Sequence, residues 1–173
     1  PILIVNSYGG SLPVAPVQEG HHAIATKEDH AYGIYSQALN FPDIRYIRQL
    51  ADWPLDLDLR GAFVMAHPPC SGFSTQNKSQ DPRVRGVNSN AFACTKRLLD
   101  YALPRHPDAV AIESVTQALE GGREVHDFYA RAYGYDAYRI IQNAVSFGVP
   151  QWRRRFWLIL VRRRPGAART FTV

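Results

Sequence analysis

Cys70 is the residue whose setting most invites chemistry, standing in the run Pro68-Pro69-Cys70-Ser71-Gly72-Phe73-Ser74. Two prolines stiffen the chain ahead of it, so the side chain that follows is held in one direction. A thiol at the mouth of a crevice is poorly placed for packing and well placed for attack, because the thiolate is the nucleophile. The other cysteine, Cys94, falls in a helical stretch and reads as a small hydrophobe on its apolar face. Glu113 closes the apolar run Ala109-Val110-Ala111-Ile112. A carboxyl group there can serve the thiol as acid, base or hydrogen-bond anchor. Further on, Gln151-Trp152-Arg153-Arg154-Arg155 opens a last strand. With period two, Gln151, Arg153 and Arg155 share one face, and Trp152 and Arg154 share the other. Three long donors on one face can bind a phosphate, a carbonyl oxygen or the carboxylate of Glu113.

A second set of residues has the character of a cofactor site. Asn6-Ser7-Tyr8-Gly9-Gly10 follows a short apolar run, and its glycines permit close backbone approach, whether to a ligand or merely through a turn. Glu28, with Asp29 behind it, lies about 20 residues further on, where an acid can take both ribose hydroxyls or can simply face solvent. Asp52, followed by Trp53, could accept from an adenine amine. The glycines are too sparse for a dinucleotide fingerprint, and there is no phosphate-loop lysine. S-adenosylmethionine, an adenosine without phosphates, fits such a site.

These residues must be held by a regular frame. Residues 2–5, 22–26, 45–47, 61–66, 109–112, 138–144 and 155–161 read as strands, and 31–39, 91–103 and 124–133 as helices. A short or distorted helix is expected over 12–19, limited by Pro13 and Pro16. The alternation predicts an α/β fold with a parallel or mostly parallel sheet covered on both faces. The polar candidates then cluster at the carboxyl ends of the strands, where open α/β sheets bind ligands. Residues 71–90 show no apolar periodicity and read as a long functional loop.

At 173 residues the chain is one ordinary domain, 46% apolar and 20% charged, which excludes a disordered segment. No apolar run reaches the roughly 20 residues of a membrane span, so no membrane partner is expected. Two cysteines give no disulfide framework and fit a reducing cytoplasm. The net charge of +5 is concentrated late, in Arg153, Arg154, Arg155, Arg162, Arg163, Arg164 and Arg169. Such a patch suits a nucleic acid or is a solvated face. No His/Cys cluster suggests a metal. Opening without Met, the sequence is expected to begin inside a larger protein.

Taken in order, these motifs resemble the cytosine-C5 DNA methyltransferase family over almost the whole chain. The Cys70 heptapeptide is similar to the family's Pro-Pro-Cys-Gln-x-Phe-Ser, Glu113-Ser114-Val115 to its Glu-Asn-Val, and residues 147–155 to its Tyr-Gly-Val-Pro-Gln-x-Arg-x-Arg. The resemblance implies a three-layer, Rossmann-like α/β methyltransferase fold, its sheet mostly parallel with an antiparallel C-terminal strand. It also implies transfer of a methyl group from S-adenosylmethionine to C5 of a flipped cytosine in double-stranded DNA, through a covalent Cys70 adduct. It implies that Glu113 holds N3 and the 4-amino group, that Arg155 holds O2 or the nucleophile loop, and that Arg153 orients Glu113 and the base. Asn6, Ser7, Tyr8, Gly9, Gly10, Glu28, Asp29, Asp52, Trp53 and Pro69 would line the cofactor. Pro68, Ser71, Ser74, Arg85, Ser114 and Gln151 would contact the base or the nucleic acid, with 71–90 as the closing loop. A bacterial or phage cytoplasm, at the nucleoid and in a restriction-modification setting, is the implied location. Ser71 replaces the family's Gln, Ser114 replaces its Asn, and the first loop lacks a leading Phe and an earlier Gly. A modified methyl donor, an RNA substrate and a silent binding module therefore stay open. The target-recognition domain and the last motifs of the family are absent from these residues, so a further segment or a second chain is expected to supply them.

Overall fold

The computed structural model describes residues 1–5, 14–28, 31–47, 57–164 and 166. Seven strands, β1 (Ile2–Val5), β2 (Ala23–Lys27), β3 (Tyr46–Ile47), β4 (Phe63–Ala66), β5 (Ala109–Ser114), β6 (Tyr135–Asn143) and β7 (Arg154–Arg162), form one sheet in the order β3-β2-β1-β4-β5-β7-β6. The pairings from β3 through β5 are parallel, and only β7 runs against its neighbours β5 and β6. The sheet is thus mostly parallel with one antiparallel C-terminal strand, as expected. The order reverses on either side of β1 and β4, the position at which α/β sheets open a ligand crevice.

Helices α1 (Val14–Gln18), α2 (Ala31–Asn40), α3 (Asn90–Ala102), α4 (Ala118–Gly121) and α5 (Arg123–Tyr133) complete the described elements. On one face of the sheet, Leu3, Val5, Val64, Ala66, Val110, Ile112, Phe156, Leu158 and Leu160 meet Leu98, Leu99 and Ala102 of α3 and Tyr129 and Ala130 of α5. This is the main core, built by alternation along each strand against the inner stripes of two helices. On the opposite face Gln37 of α2 is hydrogen-bonded to Thr26 of β2, and Ile2, Ile4 and Ala23 form a smaller cluster with Ile44 and Phe63. Beyond that cluster, Phe63, Met65, Ala111, Ile140, Trp157 and Ile159 line an open apolar trough of about 250 Å³. The helical cover on this face is therefore narrower, among the described residues, than on the first.

Local signals explain most boundaries. Ser89 caps α3, its Oγ accepting from the Phe92 N–H at 3.2 Å. Gly134, with φ 75°, closes α5 in the left-handed conformation, and its N–H donates to carbonyls of the last turn. Tyr135 then starts β6 three residues earlier than expected, fully buried with its hydroxyl donating to the Pro107 carbonyl at 2.8 Å. Among the described residues no helix is long and apolar enough to cross a membrane, and no group of three His, Cys, Asp or Glu is gathered as for a metal.

The basic C-terminal cluster differs from its expectation. β7 separates Arg154 from Arg162 by roughly 25 Å, at about 3.3 Å per residue. Arg162 and Arg164 pair with Asp108, and Arg163 with Asp136 at 2.8 Å, all at the end of the sheet away from Cys70. Those two guanidiniums hold the Asp108 carboxyl below its ordinary range. Only Arg153, Arg154 and Arg155 stand at the other end, and Arg169 lies outside the described residues. The expected single patch is two groups, and every arginine of the second is paired with an aspartate.

Candidate active site

Parallel pairing of β4 with β5 puts Ala66 opposite Ile112, so the chain beyond each strand emerges at the same end of the sheet. His67 and Glu113 then follow on one face, by the alternation that also sets Met65 beside Ala111. The His67 N–H donates to the Val5 carbonyl at 3.0 Å, which extends the β1–β4 pairing and fixes where the turn to Cys70 begins.

Glu113 is only 8% exposed and its carboxylate is held by two cations. Arg155 Nε lies 2.7 Å from Oε1, and His67 Nε2 lies 2.9 Å from Oε2. The second contact is an ion pair, and Oε2 keeps accepting capacity beyond it. The Cys70 side chain reaches the same imidazole. Cys70 first and Glu113 second push His67 up to about 9, against the opposing effect of burial. At neutral pH His67 is therefore an imidazolium between a thiol and a carboxylate. Both cysteines are free thiols, each half-buried.

The guanidinium on Glu113 belongs to Arg155, whereas the family resemblance pointed to Arg153. The reason is where the strand starts: β7 begins at Arg154, so period-two alternation does not extend back to Arg153 or Gln151. Arg153 is exposed, and its backbone N–H donates to Asn143 Oδ1 at 3.1 Å. Gln151 is also exposed, its N–H turned to the Val149 carbonyl at 2.7 Å. Ser114 points to the opposite face from Glu113, as strand alternation requires. There it lines a cavity of about 10 Å³ with Pro69, Phe73, Phe92, His126 and Phe156, beneath the Cys70 turn rather than beside the carboxylate.

That underside anchors the Cys70 turn. Phe73 meets Phe92 edge-on at 5.2 Å and packs so tightly on Gly121 that a Cβ there would lie 2.5 Å from Phe73 Cε1. His126, 2% exposed, sits between Phe92 and Phe156. Burial, helped by the charge of Arg139, pushes His126 down to about 4.

Pro68 is buried and Pro69 half-buried beneath Cys70. Residues 71–89 fold back on themselves. The Gly86 N–H donates to the Gly72 carbonyl at 2.8 Å, and a Cβ on Gly72 would fall 2.2 Å from Ser89 Oγ. Asn77 Nδ2 donates to the carbonyls of Ser71 and Val84 at 3.0 and 2.7 Å. Arg85 is exposed and donates to the Asn77 carbonyl at 2.7 Å, while Ser74 Oγ accepts weakly from the Gln76 N–H at 3.3 Å. The loop is thus clasped at its neck by Gly72, Gly86 and Ser89, a feature the sequence reading missed.

Of the cofactor candidates, Asn6, Ser7, Tyr8, Gly9, Gly10, Asp29, Asp52 and Trp53 lie outside the described residues. Glu28 follows β2 at its carboxyl end, 1% exposed, and a Cβ on Gly33 would lie 2.6 Å from its Cγ. A fixed, buried carboxylate at that strand end fits the acceptor that paired ribose hydroxyls need. Cys94 departs from its expectation. It lies half-exposed on α3, with Arg97 Nη2 3.4 Å from its sulfur, outside the buried stripe of Phe92, Thr95, Leu98 and Leu99.

Comparisons with known proteins agree with the fold. The type II methyltransferase M.AgeI of Thalassovita gelatinovora is 33% identical over 143 residues, which cover 79% of this chain and 31% of that protein. Among solved structures, the Entamoeba histolytica methyltransferase EhMeth superposes with a TM-score of 0.73 at 16% identity, covering 96% of this chain and 54% of that one. The Schizosaccharomyces pombe Dnmt2 methyltransferase gives 0.70 at 18% identity, covering 96% and 52%. The chain spans about a third or less of the length of the curated relatives it matches. The family described as C-5 cytosine-specific DNA methylase matches residues 11–169, and this chain belongs to it.

Proposed function

We propose that this chain is the catalytic part of a DNA cytosine-C5 methyltransferase, acting on a cytosine swung out of double-stranded DNA. The observation that carries the reading is the meeting of Cys70 and Glu113 through His67, with Arg155 on the far carboxylate oxygen. Cytosine C5 is a weak nucleophile until something adds at C6. A thiolate from Cys70 forms the S–C6 bond, and the electron pair of the C5=C6 bond becomes an enamine at C5 as N3 takes a proton from Glu113. Glu113 suits that task because it is buried, is fixed by Arg155 through Oε1 and keeps capacity on Oε2 to face the base. S-adenosylmethionine, when bound, supplies the methyl group that C5 takes. Glu28 would hold its ribose, with the cofactor candidates of the first and third strand ends completing the pocket. Loss of the C5 proton and departure of the thiolate restore the aromatic ring.

A base inside a duplex cannot reach a thiol at a strand end, so the nucleotide must be extruded. The surface beside the site suits this. Trp152 is 84% exposed and Phe147 65%, next to the exposed Arg153 and Arg154. Aromatic faces among basic side chains are the combination that binds unstacked nucleic acid. Reading of the target sequence is assigned to further polypeptide, on the same chain or on a partner.

The experiment is covalent trapping. A duplex carrying 5-fluorocytosine, which has no C5 proton to lose, should leave an adduct on Cys70 in the presence of S-adenosylmethionine. The peptide that carries it is identified by mass spectrometry. An adduct formed only with 5-fluorocytosine RNA would move the reading to RNA. Absence of any adduct, with DNA still bound, would leave a binding module.

A further inference from the structure

Resting on the functional reading above, we infer that His67 is a proton relay between Cys70 and Glu113, acting through both, so that loss of the thiol's proton and delivery of a proton to N3 of the base are linked through one ring. The geometry points to this in three ways. His67 Nε2 is 2.9 Å from Glu113 Oε2, within proton-transfer distance. Cys70 lies three residues on from His67 and is the larger of the two influences that raise the ring, so one imidazole answers to both the group that must lose a proton and the group that must deliver one. The other carboxylate oxygen is occupied by Arg155 at 2.7 Å, which leaves Oε2 as the exchangeable site. Among the described residues, the groups acting on the ring are Cys70 and Glu113, with Arg155 behind them on the far carboxylate oxygen. The second buried histidine, His126, lies on the opposite face of the sheet.

The proton count closes. The imidazolium gives a proton to Glu113 Oε2, and the neutral ring that results takes the Cys70 proton as the S–H bond breaks. The carboxylic acid gives its proton to N3 as sulfur bonds to C6. After methylation the C5 proton leaves to water and the S–C6 bond breaks; the imidazolium returns a proton to the departing thiolate and regains one from N3 through Glu113. A relay of this kind needs a ring that stays protonated at neutral pH, in agreement with its elevated titration.

Two measurements on the same chain test it. In protein labelled with 13C at histidine Cε1, the signal lost in His67→Gln identifies His67, and the unchanged buried signal of His126 reports that the fold is retained. The His67 signal is expected to titrate near pH 9 and to move down toward the ordinary value in both Cys70→Ala and Glu113→Gln. Adduct formation with the 5-fluorocytosine duplex is expected to slow about a hundredfold in His67→Gln, and similarly in His67→Asn, the range general acid–base groups contribute. The wild-type rate should fall as pH rises through the His67 titration, and the variants should lose that inflection. An ordinary His67 titration, or variants with the wild-type rate and pH profile, would overturn the relay while leaving the methyltransferase reading standing. A wild-type protein that forms no adduct would remove that reading and the relay with it.

Discussion

The two perturbed histidines pull stability in opposite directions with pH, and the effect is large enough to measure. His126 is pushed from 6.5 down to about 4 in the folded chain by burial. Between those values the unfolded chain binds the extra proton, so stability is complete above pH 6.5 and declines as pH falls through 4. At about 1.4 kcal/mol per pH unit for one proton, the loss amounts to about 3 kcal/mol. His67 is the mirror case, pushed from 6.5 up to about 9 by Cys70 and Glu113. Here the folded chain holds the extra proton, so its contribution is complete below pH 6.5 and is lost as pH rises through 9. Solvent reaches about a quarter of the His67 side chain, which reduces that arm to about 2 kcal/mol. The assay is urea unfolding at half-unit steps from pH 4.5 to 9.5, comparing wild type with His126→Leu and His67→Gln. Carboxylates such as Asp108 also titrate on the acid side, so the decisive quantity is the difference between curves. His126→Leu should flatten the acid arm alone, and His67→Gln the alkaline arm alone. Curves that stay parallel between pH 6.5 and 4.5 for wild type and His126→Leu would refute the buried neutral histidine.

Other outcomes follow from single contacts. Arg155→Leu leaves a mostly buried Glu113 with one cation fewer, and kcat for methyl transfer should drop about a hundredfold. Arg153→Leu should instead act mainly on KM for DNA, since Arg153 is exposed, and steady-state kinetics of the two variants separate the roles. Gly121→Ala forces a methyl group to within 2.5 Å of Phe73, which should cost about 1–3 kcal/mol in denaturant unfolding and lower kcat by displacing the Cys70 turn.

Much of the frame was legible from residue types. β1 was bounded correctly because four consecutive apolar residues between Pro1 and a polar turn allow little else. The α3 helix was placed to within a residue by its apolar period. What escaped the sequence was what depends on register. His67 is a lone histidine with no spacing to recommend it. It becomes part of the site because β4 and β5 pair in parallel with Ala66 opposite Ile112, which no local pattern encodes. The signal was present only as alternation: Phe63, Met65 and His67 share a face, as do Ala109, Ala111 and Glu113. The choice of Arg155 over Arg153 likewise turns on whether the strand begins at 154, a matter of one residue where boundaries are least certain. The arginine cluster looked like one patch because sequence distance hides the length of a nine-residue strand. Cys94 was assigned to the apolar face of α3, but the face that packs is set by Phe92, Leu98 and Leu99, which turn the cysteine outward.

The central claim is that Cys70 attacks a cytosine of duplex DNA for methyl transfer, and the most direct measurement is transfer of labelled methyl from S-adenosylmethionine to unmethylated duplex DNA. Wild type and Cys70→Ala are compared, with the labelled base identified after digestion. The account predicts label in 5-methylcytosine with wild type and none with Cys70→Ala. Label in another base, or transfer by Cys70→Ala at the wild-type rate, would contradict it.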